Sequence, residues 1–212
     1  FGHNIGVPAV VVFFILSGFV VANLLANKGD WIDWRHHVGL FYYERLLRLL
    51  PLYLFFMAVA AWARPLDLEA LSPWKAIYVV ASNFLIVPLN YQMLTPWLTD
   101  RMLVPPAWSL GLELQFYLLA PLVCLSRKVM HRAMIVSVLF YIAVSSFLSL
   151  PYSDWLGYRF IVATLFMFLS GACLYQANYL NLPLLKVMWG GVAGLLFYTV
   201  LGGRLAIPYV LE

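Results

Sequence analysis

Long apolar runs, most of them close to twenty residues, decide what this chain can fold into. They fall at residues 7–26, 46–63, 107–125, 133–150, 159–177 and 183–201. A hydrocarbon core of ~30 Å takes ~20 helical residues to cross, so each run is a candidate span. A seventh, at residues 75–89, is shorter, and Ser82, Asn83 and Pro88 interrupt it. Only 10% of the 212 residues are charged and the mean hydropathy is +0.89. Soluble domains carry ~25% charged residues, so a water-facing surface cannot be built here and lipid is the expected solvent. The expected fold is all-α: a polytopic transmembrane helical bundle of about six full spans plus one re-entrant or short span. No repeat, low-complexity tract or soluble module interrupts it, so residues 1–212 read as one membrane-embedded domain.

The first run is too long for a signal-peptide core, with no basic flank before it and no small-residue cleavage site after it. It reads as a true span, with sequence expected upstream of Phe1. The end at Leu211 and Glu212 has no tail, so a piece of a longer protein is expected.

Net charge is +4 and the pI is near 9.1, yet the basic residues sit in short clusters beside apolar runs. Topology and lipid headgroups account for that pattern, and a nucleic-acid partner is not expected. Lys28, Arg35, Arg45 and Arg48 follow the first run, and Arg127, Lys128 and Arg132 follow the run at 107–125. The positive-inside rule places both clusters in the cytoplasm. Three full crossings between them would put them on opposite sides, so one crossing fails. Residues 75–89 are the weakest candidate and are expected to re-enter, sheltered by protein or water. Phe1 is then outside, Arg45 and Arg48 inside, and the helix from Ala107 runs inward. A seventh ordinary span with a weak charge bias is the alternative.

Cys124 and Cys173 lie within apolar segments, and no Cys/His spacing suggests a metal, haem or disulfide. Inert buried thiols are expected, and no metal ligands.

Glu113 is the acid set deepest in an apolar run, and placing it there costs roughly 3 kcal/mol on insertion scales. It should face the bundle interior. Helical spacing puts Ser109, Glu113 and Tyr117 on one stripe, with Trp108 and Gln115 flanking. Such a stripe would line a polar cavity and orient a hydroxyl substrate; the plain alternative is a protonated Glu bonded to a neighbouring helix. Arg45 and Arg48 are three apart and should point the same way, as guanidinium forks suited to phosphate oxygens. Anchoring a helix to headgroups is the competing account, with Glu44 as a partner for Arg48. Glu113 is ~9 Å into its helix, leaving a gap of ~20 Å to the arginine pair in a ~30 Å core, suited to an extended pantetheine arm. Ser17 has no evident base nearby, and Ser17-Gly18 and Gly190-Gly-Val-Ala-Gly194 are expected to serve close helix packing. His3, His36, His37 and His131 lie outside the long runs and read as solvated.

Taken in order, these strings resemble the acyltransferase 3 family of membrane acyltransferases. Gly6-Val7 precedes Phe13-Phe-Ile-Leu-Ser-Gly-Phe19; Arg45 and Arg48 follow, with Pro51 and Tyr53. Trp108-Ser-Leu-Gly-Leu-Glu-Leu-Gln-Phe-Tyr117 is similar to the family's Trp-Ser-Leu-x-x-Glu-x-Gln-Phe-Tyr signature, with Pro121 after it, and Phe166-Met-Phe-Leu-Ser-Gly-Ala172 resembles a later stretch. The resemblance covers residues 6 to about 172. It implies an acyl-CoA donor at the cytoplasmic side and a hydroxyl-bearing glycan, lipid or small-molecule acceptor, often handled near the outer face. It implies that Glu113 is catalytic or orienting and that Arg45 and Arg48 hold donor phosphates, while the stripe makes Trp108, Ser109, Gln115 and Tyr117 the expected substrate contacts. Acetyl is the acyl group expected, and the bacterial inner membrane the expected location.

The preceding helix with the family's catalytic histidine and the last few spans are expected outside residues 1–212, and Leu114 stands where many members have a second Glu. With that histidine as general base, the acceptor hydroxyl would attack the thioester, and no metal is required. A transporter or flippase for a lipid-linked sugar would also want an intramembrane acid and an interrupted segment. A non-catalytic membrane fragment is the third possibility.

Overall fold

The computed structural model describes residues 6–26, 34–124, 126–147 and 154–180. The elements are α1 (Gly6–Ala26), α2 (Trp34–Ala63), α3 (Pro73–Leu85), a 3-10 stretch (Val87–Leu94), α4 (Pro96–Thr99), α5 (Ala107–Val123), α6 (Arg127–Phe147), a π-helical turn (Asp154–Tyr158) and α7 (Ile161–Leu180). No strand occurs among the described residues. Four stretches are long and apolar enough to cross a membrane: Ala9–Ala26, His36–Ala63, Arg127–Phe147 and Trp155–Gln176. α5 is apolar but shorter, at 17 residues. The expected run at 183–201 lies outside the described residues. α2 exposes Leu47, Leu52, Phe55 and Phe56, a surface that only lipid solvates without cost. The fold is an all-α polytopic membrane bundle.

The described residues form two compact units, one containing α1, α6 and α7, the other running from α2 to Leu118 in α5. In the first, α1 and α7 pack backbone to backbone. A Cβ on Gly18 would lie 1.8 Å from the Phe168 carbonyl oxygen, and one on Gly171 would lie 1.8 Å from that of Ile15. Only glycine permits this approach. Phe14 stacks on Phe168 and Phe19 meets Tyr175 edge-on, so contacts advance in the same direction and the helices are parallel. The two Phe-x-x-Leu-Ser-Gly strings form one seam, as expected for Ser17-Gly18. α6 joins antiparallel, with Ser137 Oγ accepting from Phe166 N (2.9 Å) and Tyr141 against Phe166. Parallel α1 and α7 require an odd number of crossings between them. α2, α5 and α6 supply three, provided α3 does not cross.

The second unit shows why it does not. The start of α2 lies by the end of α5: the Phe41 and Tyr117 rings pack at 6.0 Å, and Tyr42 Oη donates to the Leu118 carbonyl (3.4 Å). The end of α2 lies by the start of α5, where Arg64 reaches the Asp100 carbonyl (2.8 Å). α2 and α5 are antiparallel, so the chain between them starts and finishes at one end of the unit. α3 is only 13 residues long, ~20 Å. It stops at Ile86, whose φ of 64° is an uncommon backbone state for a β-branched residue. The 3-10 stretch then returns the chain until Trp97 packs against Trp74 (5.6 Å). The Ser82–Asn83–Pro88 interruption is thus the turn-back of a re-entrant hairpin, broken at Ile86 rather than at the polar pair.

Asn83 holds the hairpin shut. Its Nδ2 donates to the Val79 (2.9 Å) and Arg101 (3.1 Å) carbonyls, and its Oδ1 accepts from Leu103 N (2.9 Å). Tyr53 of α2 donates to its backbone carbonyl. These bonds satisfy polar groups inside the apolar cluster of Tyr53, Met57, Val79, Ile86, Leu89, Leu98, Met102 and Ala107.

Candidate functional site

The α5 helix divides the family-like signature between two faces. One receives the hairpin. Gly111 leaves room for its tip, since a Cβ there would sit 3.1 Å from both the Ile86 carbonyl and Asn90 Cβ. One turn on, Gln115 Oε1 accepts from Tyr91 Oη (2.6 Å), and its Nε2 donates to the Gly111 carbonyl (3.1 Å). Burial pushes the Tyr91 phenol above its ordinary value, with bonds to Gln115 and Asn90 pulling the other way. It stays a neutral donor at physiological pH. Trp108 is half-buried against the core cluster, and Ser109 Oγ donates to the Pro106 carbonyl (2.9 Å) at the helix start. Gln115 and Trp108 hold the helix to its hairpin.

The other face meets α2. Glu113 is 3% exposed and Tyr117 is 3% exposed, and the Tyr117 hydroxyl donates to Glu113 Oε1 one turn back. The Arg45 guanidinium lies over the Tyr117 ring, 5.8 Å from its centroid, a cation–π contact that desolvation strengthens. Arg45 is 7% exposed, and its Nε has no hydrogen-bond partner among the described residues. Phe41 packs edge-on against the same ring. Arg45, Tyr117 and Glu113 thus form one buried chain: a cation, an aromatic plate and an acid.

Ser109 bonds back to the Pro106 carbonyl at the helix start, while Glu113 and Tyr117 bond to one another. The gap of ~20 Å expected from helix depth does not separate Arg45 from Glu113, because a single tyrosine ring lies between them. The reason is the length of α2. It begins at Trp34, well before the apolar run, so Arg45 sits inside a helix packed on α5 rather than at its mouth. Arg48, three residues on, is exposed, so the two arginines occupy different surroundings. Sequence reasoning passed over Tyr53 and Asn83 as site-building residues. The polar interruption of an apolar run was the available signal. Cys124 is half-buried and Cys173 buried, both free thiols. No group of three or more His, Cys, Asp or Glu suited to a metal occurs among the described residues.

Comparison with known proteins agrees with the ordered motifs. The family described as an acyltransferase domain, acyltransferase 3, matches residues 1–210. An uncharacterized protein of Aquifex aeolicus is 40% identical over 73 residues, covering 34% of this chain and 32% of that protein. A Caenorhabditis elegans protein named regulator of hypoxia-inducible factor 1 is 30% identical over 124 residues, covering 58% of this chain and 24% of the relative. The chain therefore spans a third or less of the length of these relatives. No solved structure matches. With the match running almost end to end, over the same α2 and α5 that build the buried chain, the protein belongs to the acyltransferase 3 family.

Proposed function

We propose that the protein works as a membrane acyltransferase, moving an acyl group, acetyl by expectation, from cytoplasmic acyl-CoA to a hydroxyl of a glycan, lipid or small acceptor. The observation that supports this best is the buried chain of Arg45, Tyr117 and Glu113 across α2 and α5. In the reaction the acceptor oxygen bonds to the thioester carbonyl carbon, the carbon–sulfur bond breaks, and CoA leaves as thiolate. The hydroxyl proton passes to a base, which the family resemblance implies is a histidine, and from there to the sulfur.

Glu113 would orient that base or the acceptor, with Tyr117 fixing its carboxyl rotamer. Arg48, exposed on α2, would meet the donor phosphates first. Arg45, buried against the Tyr117 ring, would hold the donor phosphates with it. Trp108 and Gln115 act on this site through the hairpin they hold. The bacterial inner membrane is the proposed location, with the arginines on the cytoplasmic side.

The test is acetyl-CoA turnover by the intact protein in detergent, with wild type beside Glu113→Gln and Arg48→Ala. Loss of turnover in both variants with the fold retained supports the assignment. Undiminished turnover in both leaves the family membership but removes these residues from the site. Wild-type protein that never consumes acetyl-CoA, yet moves a lipid-linked sugar across vesicles, would make it a transporter.

A further inference from the structure

At the end of the α2–α5 unit remote from Arg45, the loop leaving α2 and the loop entering α5 line an open cavity of about 340 Å³. Its polar lining is Arg64, Asp67, Asp100 and Arg101, and Ala60 and Leu103 are among its apolar walls. The two loops are cross-braced through backbone. Arg64 Nη2 donates to the Asp100 carbonyl (2.8 Å), while Arg101 Nε donates to the Asp67 carbonyl (2.8 Å) and its Nη1 to that of Trp97 (3.1 Å). Each arginine therefore grips the opposite loop's main chain and leaves the carboxylate beside it unspent. Asp67 and Asp100 are exposed, and neither carboxylate makes a hydrogen bond or ion pair among the described residues.

The charge pattern selects the occupant. Two guanidiniums and two carboxylates share one small space, so an anion meets two like charges and so does a cation. An uncharged polyol has hydroxyls that donate to the carboxylates and accept from the remaining guanidinium N–H groups, satisfying both sets at once. The volume equals that of roughly eleven waters, room for one sugar-sized ring.

The surroundings fix the level. Trp62, 85% exposed, ends α2; Trp74 begins α3; Trp97 lies beside it, with Lys75 Nζ 5.6 Å from the Trp97 ring. Tryptophans gathered at one end of a helical unit mark a membrane–water interface. Glu113 lies ~9 Å along α5 from the helix start that borders the cavity.

We infer that this cavity is the acceptor site and that the acceptor presents an uncharged, polyhydroxylated ring at the membrane surface. The word acceptor rests on the acyltransferase proposal; the binding does not. The test uses the intact protein in phosphatidylcholine nanodiscs, free of sugar detergents, titrated with methyl β-glucoside by calorimetry and tryptophan fluorescence. Glucuronate and glucosamine serve as its anionic and cationic counterparts.

The neutral glycoside binds more tightly than either charged sugar. Asp67→Asn and Asp100→Asn each weaken it about tenfold, the loss of one charge-assisted hydrogen bond, with unchanged thermal midpoints. Tighter binding of a charged sugar, binding equal to wild type in both variants, or no binding of any probe overturns the inference. Glycoside binding lost in the variants, in a protein that never consumes acetyl-CoA, upholds the cavity and sinks the acyltransferase proposal. Acetyl-CoA turnover without glycoside binding does the reverse.

Discussion

At the scale of residues, the acid and the cation of this site are read through the tyrosine between them. Glu113→Gln keeps the size of the side chain and its place beside Tyr117 but removes its basicity. Turnover of acetyl-CoA is expected to fall by ~100-fold or more, the ordinary worth of a group engaged in acid–base work. Tyr117→Phe keeps the ring under Arg45 and loses only the hydroxyl. A drop of about tenfold in kcat with KM for acetyl-CoA held is expected, because one hydrogen bond to an acid is lost and the cation–π contact is not. Arg45→Ala should show the opposite split, raising KM for acetyl-CoA about tenfold. Steady-state kinetics on the three variants separates these roles, and equal effects on kcat and KM in all three would mean that the cluster merely holds α2 to α5.

At the scale of elements, two devices keep helices where the site needs them. The α1–α7 seam depends on Gly18 and Gly171, each against a carbonyl of the other helix. Gly18→Ala or Gly171→Ala forces the backbones apart and is expected to cost about 3 kcal/mol, at the upper end of overpacking penalties. A lowered thermal midpoint in detergent measures it. Gly111→Ala meets softer resistance, 3.1 Å from a side-chain atom and a carbonyl, and should cost about 1 kcal/mol. The hairpin depends on Asn83, which joins α3 to the chain entering α5 by two hydrogen bonds. Asn83→Ala takes the side-chain partner from the Arg101 carbonyl and the Leu103 amide beside an apolar cluster, a loss of about 2 kcal/mol. Faster hydrogen exchange over the 3-10 stretch, with α6 and α7 unchanged, is the expected signature.

At the scale of the whole molecule, the re-entrant hairpin sets the sidedness of everything after it. Because α2 and α5 are antiparallel, Asp67 and Asp100 lie at the same end of their unit. In a background with Cys124 and Cys173 replaced by Ala, Asp67→Cys and Asp100→Cys should both react with an impermeant maleimide applied to intact cells. Arg127→Cys should react only after permeabilisation, as the positive-inside rule places its basic cluster in the cytoplasm. Labelling of Asp67→Cys but not of Asp100→Cys from outside would mean that α3 crosses.

The sequence by itself determined that this protein lives in lipid, that it is helical, and where most helices run. Apolar length and charge scarcity are one-dimensional properties, and the bilayer converts them directly into spans. Charge parity over the chain even picked out residues 75–89 as the segment that fails to cross, because a basic cluster reports its side whatever the tertiary structure. The order of short motifs was legible in the same way and pointed to the family. Only the tertiary structure decided which residues of those motifs meet. Periodicity places Ser109, Glu113 and Tyr117 on one stripe, but it cannot know that Ser109 bonds its own helix start or that Gln115 is held by Tyr91. It gives Arg45 and Arg48 the same direction, but burial depends on a second helix, and α5 covers only Arg45. Contacts between helices far apart in sequence depend on crossing angle and packing depth, which side-chain volumes along both partners set together. No single run of residues contains them.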